Sequence, residues 1–231
     1  MTGTKRVVLL ACGSFNPPTN MHLRMFEIAR DFLHRTSDYH VVAGLLSPVH
    51  DKYGKEDLVG ANERIQMIKL AAATSQWLHV SDWESRQEDW VPTREVLQYH
   101  QDMVDSAING NIETITSKRQ RMETGHPHWL TQLAVSSDPV RVKLLCGADL
   151  LESFRRPGLW KEEDIETIVG KFGLVVITRN GCDPYKFIYE SDLLTRLQFV
   201  APSGGARLLN ISFRTRSSIT SSSIRCFSLV I

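Results

Sequence analysis

A continuous apolar run, VVLLAC at residues 7–12, opens the pattern, and so short a run without a polar break predicts a strand buried on both faces. Residues 13–19, GSFNPPT, are turn-forming. Behind them Met21, Met25, Ile28, Ala29, Phe32 and Leu33 recur near helical spacing, with Arg24, Glu27, Arg30 and Asp31 between them. Asn20 is the expected N-cap of that helix. The alternation then repeats. A strand is expected at 40–46, a helix at 61–73 with Ile65, Ile68 and Leu70 inward, a short strand at 78–80, and a helix at 93–108. Further on, a strand at 140–146 runs into Gly147-Ala148-Asp149, a helix covers 162–170, and a buried strand at 174–178 meets the turn Asn180-Gly181.

Strands alternating with helices imply parallel pairing, right-handed crossovers and helices on both faces. The expected fold is therefore α/β, a Rossmann-like doubly wound parallel sheet whose ligands sit beyond the carboxyl ends of the strands. All 231 residues are expected in one such domain. Two stretches break the pattern. Residues 109–139 are polar and punctuated by Gly110, Gly125, Pro127 and Pro139, which predicts a mobile insertion. Its cluster Lys118, Arg119 and Arg121 reads as a solvated loop face or a nuclear address. From about residue 199 the chain is serine-rich and without sustained period, and no closing element can be derived from it.

Composition changes this picture little. The apolar fraction is 42%, the charged fraction 23% and the net charge +1, the profile of an ordinary globular protein with no demand for nucleic acid. No apolar run approaches a bilayer span, and residues 1–6 lead straight into a strand, so the expectation is a protein inside the cell, nuclear or cytoplasmic, without membrane contact. Cys12, Cys146, Cys182 and Cys226 lie far apart with no zinc spacing, which predicts reduced, mostly buried thiols. No protein-held metal site is expected.

The candidate chemistry sits in the first turn. A glycine and serine directly after a buried strand let backbone amides approach phosphate oxygens, and the next helix offers its positive end. Gly13 and Ser14 are thus candidate phosphate ligands. His22, in the first helical turn, could donate to the same phosphates or serve simply as a capping histidine, and Thr19 could add a hydroxyl.

The run GSFNPPTNMHLRMFE resembles the signature of nucleotidyltransferases with a T/H-x-G-H motif, in the form found in eukaryotic nicotinamide mononucleotide adenylyltransferases. Met21 stands where the wider superfamily has glycine. The resemblance continues through SPVHDKYGK at 47–55, DWES with the later Trp90, LLCGADLLESF at 144–154, PGLW at 157–160 and VVITR at 175–179, covering residues 7 to about 198.

That resemblance implies site roles residue by residue. Gly13 and Ser14 would cradle phosphate, and His22 would hold the ATP phosphates and stabilise the transition state. Phe15 would contact substrate, and Lys55 would lie near the substrate phosphate, although by itself it is one of several lysines in a polar loop. Trp90 and Trp160 would flank the nicotinamide ring with Thr93 beside it; a core role is the alternative for Trp90. Gly147 and Asp149 would meet the ribose, where Asp149 could otherwise cap a helix, and Leu159 and Arg179 would complete the pocket. In the tail, ITSSSIR at 219–225 matches the spacing of a family segment whose hydroxyls and arginine hold ATP phosphates at a helix N-terminus, which nominates Ser221, Ser222 and Arg225.

The implied reaction is adenylyl transfer from ATP to nicotinamide mononucleotide, and to its nicotinic acid analogue, giving NAD and pyrophosphate, with Mg²⁺ carried mainly by the ATP phosphates. Homo-oligomers are a family trait carried over as an expectation. Two rivals remain at this stage: transfer to a different phosphate acceptor, and a catalytically impaired nucleotide-binding or chaperone-like variant with a shortened C-terminus.

Overall fold

The computed structural model describes residues 4–36, 38–109, 128–133, 138–178, 190–191, 207–212 and 225–230, the last two segments as backbone. Its strands are β1 (Lys5–Gly13), β2 (Tyr39–Pro48), β3 (Leu78–Val80), β4 (Val140–Gly147), β5 (Leu174–Ile177), β6 (Arg207–Ser212) and β7 (Arg225–Val230). Its helices are α1 (Asn20–Arg35), α2 (Ala61–Ala72), α3 (Thr93–Ile108), α4 (His128–Leu133), α5 (Ala148–Ser153) and α6 (Glu162–Thr167), the last continuing as a wider π turn over Ile168–Phe172.

The sheet order is β3-β2-β1-β4-β5-β7-β6. The first five strands pair in parallel, as the strand–helix alternation implies. The chain moves outward from β1 through β2 to β3, then returns to lay β4 on the other side of β1, so the topological switch lies between β1 and β4.

Each central strand feeds both faces because successive side chains point to opposite sides. Val8 and Leu10 of β1 join Val142, Leu144, Leu174 and Val176 under Val96, Leu97 and Val104 of α3. Val7, Leu9 and Ala11 join Leu145, Val175 and Ile177 under Phe26, Ala29, Phe32 and Leu33 of α1 and Ile68 of α2. Among the described side chains of these strands the buried cation is Lys143 of β4. Its Nζ reaches the carbonyl of Phe172 at 3.4 Å and lies 5.6 Å from the Tyr39 ring centroid, and burial pushes its pKa down to about 8.

Gly44 shows how closely α1 approaches β2. A Cβ at this position would come within 2.6 Å of Leu78 Cδ2 and 2.7 Å of Phe26 Cδ1, both packed core atoms. Gly44→Ala is therefore expected to destabilise the fold by about 1–3 kcal/mol through overpacking, read as a lower urea midpoint. A midpoint equal to the parent's would mean that the core gives way freely there.

Four expectations are corrected. Leu70 is 78% exposed, because the inward stripe of α2 runs through Ala61, Arg64, Ile65, Ile68 and Ala72, and a residue two positions past Ile68 points to the far side. The N-cap of α1 is Thr19, extended at φ −120° and ψ 162°, while Asn20 is already helical. The stretch 109–139 is not patternless throughout: α4 lies within it and buries Trp129, Leu130 and Leu133 beside α3. The tail supplies a closing element after all, since β6 and β7 form an antiparallel pair whose inner strand adds to β5 through Ile177 and Cys226. Among the described residues no helix is long and apolar enough to cross a membrane.

Candidate active site

The carboxyl ends of β1, β2, β4 and β5 share one rim: Gly13 is level with Pro48, and Gly147 with Ile177. Leu10 pairs with Leu144 across the switch, so carrying that register three residues further sets Gly13 level with Gly147. The two glycine turns singled out in the sequence therefore flank the crevice where doubly wound sheets take ligands.

The first turn is held in an uncommon shape. Phe15 has φ 45°, in the left-handed region, and the Asn16-Pro17 peptide is cis. Placing an aromatic residue there costs on the order of 1–3 kcal/mol. Burial of the Phe15 ring to 3% exposure offsets that cost, and the ring meets His22 edge-on at 5.1 Å between centroids.

His22 occupies the third position of α1 and closes a reciprocal cap. The Thr19 hydroxyl accepts the His22 backbone N–H, and the Thr19 backbone N–H donates to His22 Nδ1 at 2.8 Å. The capping role and the phosphate role are thus compatible. An Nδ1 that accepts a backbone N–H carries no proton in the neutral ring, so Nε2 holds the proton and is the donor nitrogen.

Lys55 comes to the same turn from far along the chain: its Nζ donates to Ser14 Oγ at 3.1 Å. Asn16 ties the turn to the following loop, donating to the Asp57 carbonyl at 2.8 Å and accepting from Val59 N–H at 3.3 Å. Glycine, serine, imidazole and ammonium therefore converge at one helix N-terminus, a donor set suited to phosphate oxygens.

The second turn carries Asp149 in the opening turn of α5. A Cβ on Gly147 would collide with Asp149 Oδ1, so the missing side chain leaves that carboxylate its position. Behind it, Trp160 is fixed in orientation. Its Nε1 donates to Ser153 Oγ at 2.9 Å, the Ser153 hydroxyl donates to the Leu150 carbonyl at 2.6 Å, and Phe154 packs edge-on at 5.0 Å. Leu159 beside it is 57% exposed. Trp90 is 44% exposed with the Tyr53 ring 6.5 Å away, which disposes of a core role for it, and Thr93 opens α3. Large exposed apolar side chains such as these suit a surface that receives a flat ligand.

Arg179, Ser221 and Ser222 lie outside the described residues. The backbone of Arg225 begins β7, so it opens a strand and not the helix N-terminus that the tail motif implied.

The family profile described as Cytidylyltransferase-like matches residues 10–227. The chain is 51% identical over 194 residues to a nicotinamide-nucleotide adenylyltransferase of Drosophila melanogaster, covering 84% of this chain and 49% of that protein. It thus spans about half the length of the fly relative. It is 47% identical to nicotinamide/nicotinic acid mononucleotide adenylyltransferase 1 of Bos taurus, covering 83% of this chain and 72% of the relative. This chain belongs to the nicotinamide/nicotinic acid mononucleotide adenylyltransferase family. A solved structure, a Plasmodium falciparum nicotinic acid mononucleotide adenylyltransferase complexed with APC, aligns over 80% of this chain and 71% of its own at 14% identity and a TM-score of 0.45.

Two features of this family member escaped the sequence reading. Arg64, fully buried, braces the loops around the turn after β1, and it was readable: it stands three residues after Ala61 and four before Ile68, on the inward stripe of α2. The other is a buried polar cluster under the turn. Glu84, 2% exposed, accepts from Ser47 Oγ at 2.6 Å and from the Cys12 thiol, and burial raises its pKa to about 7. Burial, with Glu84 alongside, also pushes the Cys12 thiol well up, which keeps it an S–H donor. Glu84 stands among polar neighbours in DWES, and nothing local announces its burial.

Proposed function

We propose that this chain transfers the adenylyl group of ATP to nicotinamide mononucleotide, forming NAD and pyrophosphate in NAD biosynthesis, and that it accepts the nicotinic acid analogue at the same site. One observation supports the site assignment: the capped first turn of α1, where Thr19 N–H occupies His22 Nδ1 and leaves Nε2 as the donor nitrogen, beside a turn in which Lys55 Nζ meets Ser14 Oγ. The identity of about half the aligned residues with named adenylyltransferases carries the reaction.

In this reading a phosphate oxygen of the mononucleotide attacks the α-phosphorus of ATP. The new bond joins that oxygen to the α-phosphorus, the α–β bridging bond breaks, and its electrons leave with pyrophosphate. No protein nucleophile takes part. The residues position two phosphates in line and stabilise charge that builds during transfer, which is how phosphoryl transfer generally gains its rate. Gly13 and Ser14 cradle the triphosphate, His22 Nε2–H donates to it, and Lys55 holds the acceptor phosphate near Ser14. Trp90 and Trp160 receive the nicotinamide ring, with Phe15 and Thr93 lining its approach; Gly147, Asp149, Leu159 and Arg179 bind the ribose and complete the pocket. Ser221, Ser222 and Arg225 are proposed as further phosphate ligands of the tail.

Magnesium is proposed to enter with ATP. The donors around the turn are N–H and O–H groups, which fit phosphate and not a cation, and among the described residues no group of three or more His, Cys, Asp or Glu is placed to hold a metal ion. The ion's part is to neutralise phosphate charge.

Coupled detection of NAD from ATP and nicotinamide mononucleotide tests the proposal, with other phosphate acceptors as a panel. Turnover only with an unrelated acceptor would overturn it. Within the same assay Trp160→Ala is expected to raise KM for the mononucleotide by about tenfold or more while leaving KM for ATP nearly unchanged, because base stacking contributes roughly 1–3 kcal/mol. Equal rises in both KM values would count against the stacking role.

A further inference from the structure

Arg64 is 0% exposed, and its guanidinium joins four separate points of the chain. Nε donates to the Val59 carbonyl at 2.6 Å and Nη1 to the Ser14 carbonyl at 2.9 Å. Nη2 donates to the Val49 carbonyl at 2.7 Å and to Asp51 Oδ1, also at 2.7 Å. Ser14 belongs to the phosphate turn after β1, whereas 49, 51 and 59 belong to the loop after β2 that carries Lys55. The four bonds thus span the stretch between the two groups that meet as Lys55 Nζ and Ser14 Oγ.

Desolvating a guanidinium is expensive, and a core position in α2 would be filled more simply by an apolar side chain. Here one planar fork fixes the relative positions of the two loops, which a flexible single-nitrogen ammonium cannot copy.

We propose that Arg64 is a positioning residue for the transfer step, setting the distance between the Ser14 phosphate cradle and the Lys55 ammonium. It touches no substrate. It acts by keeping the acceptor phosphate and the α-phosphorus in line, an alignment on which transfer rates depend steeply. The proposal rests on the adenylyl-transfer reading given above.

The test is a double-mutant cycle in steady-state NAD synthesis, run well below the unfolding midpoint of every variant. Arg64→Lys keeps the charge and loses the fork. It is expected to lower kcat by on the order of tenfold or more with each KM changing less than about threefold. Lys55→Ala alone is expected to be strongly impaired; added to Arg64→Lys it should cost clearly less than the product of the two single effects, because the first change has already misplaced the ammonium. Effects that multiply would overturn the proposal, as would a kcat for Arg64→Lys within about twofold of the parent. If Arg64→Lys fails to fold, Asp51→Asn replaces it in the cycle. That change weakens only the bond from half-exposed Asp51 and leaves three carbonyl partners, and it must show the same sub-multiplicative coupling to Lys55→Ala. The parent enzyme and His22→Ala are run alongside: a parent without NAD synthesis sinks the reaction itself, whereas an active parent with independent Arg64 and Lys55 effects sinks only the positioning role.

Discussion

His22→Ala is expected to lower kcat by on the order of 10²-fold or more, the usual consequence of deleting one donor to charge that develops in the transition state. The donor is set by a bond at the opposite ring atom. Thr19 N–H donates to Nδ1 at 2.8 Å, which both orients the imidazole and assigns the remaining proton to Nε2. The alanine variant loses that donor and also half of the reciprocal cap, whose removal by itself costs about 0.5–2 kcal/mol of stability. His22→Asn separates the two effects, since an amide oxygen can still accept from Thr19 while the amide nitrogen stops short of the ligand. A pair of variants with similar unfolding midpoints and equally low kcat would assign the loss to Nε2. Near-normal turnover in His22→Ala, measured at saturating ATP, would remove the histidine from the mechanism.

The second large effect concerns stability against pH, where two buried groups oppose each other. His100 donates from Nδ1 to the Val96 carbonyl at 2.7 Å and accepts from Ser81 Oγ at Nε2, at 2.8 Å, and burial lowers its pKa to about 4 from 6.5. Between those values the unfolded chain holds a proton that the folded one refuses, so this group makes stability rise with pH from about 4 to 6.5. Glu84 does the reverse. Its pKa is raised from 4.5 to about 7, the folded chain keeps a proton that the unfolded one has lost, and stability falls as pH rises through that window. Each shift corresponds to on the order of 3 kcal/mol. From pH 4.5 to 6.5 the two slopes nearly cancel in the parent.

Glu84→Gln, which can still accept from Ser47, should unmask the histidine slope and gain stability relative to the parent as pH rises from 4.5 to 7. His100→Gln should show the opposite trend, losing relative to the parent between pH 4 and 6.5. Urea unfolding of the three proteins at half-unit pH intervals checks both signs. Parallel curves for all three would mean that neither group titrates differently on folding.

How far such features can be read in advance depends on whether the cause is local. VVLLAC at 7–12 announces β1 because a strand covered on both faces needs no polar position, and the α1 stripe from Phe26 to Leu33 announces itself by period. The presence of a turn between β1 and α1 was legible too, since glycine, serine and two prolines separate a buried strand from a helix, although the left-handed Phe15 within it was not. What stayed hidden is decided by distant partners. Trp129, Leu130 and Leu133 form a helix where α3 gives them cover, in a stretch whose own composition argues for a loop. The β6–β7 pair exists because β5 offers an edge, and no period within 207–212 or 225–230 names that edge. Thr19 outranks Asn20 as a cap only once His22 answers it. Glu84 has the residue type of a wetted surface, and only Ser47 and Cys12 make its burial tolerable; the inward position of Arg64 was written in the α2 stripe, but not the partners Ser14 and Val49 that accept its charge there.

The guanidinium of Arg64 reaches partners 5, 13, 15 and 50 positions away along the chain. Its longest bond cannot close until the first strand and the second helix have already come to rest on the same sheet. The shape of the turn after the first strand is therefore a property of the assembled sheet and not of its own few residues, so damage to the packing of the second helix is felt there as well.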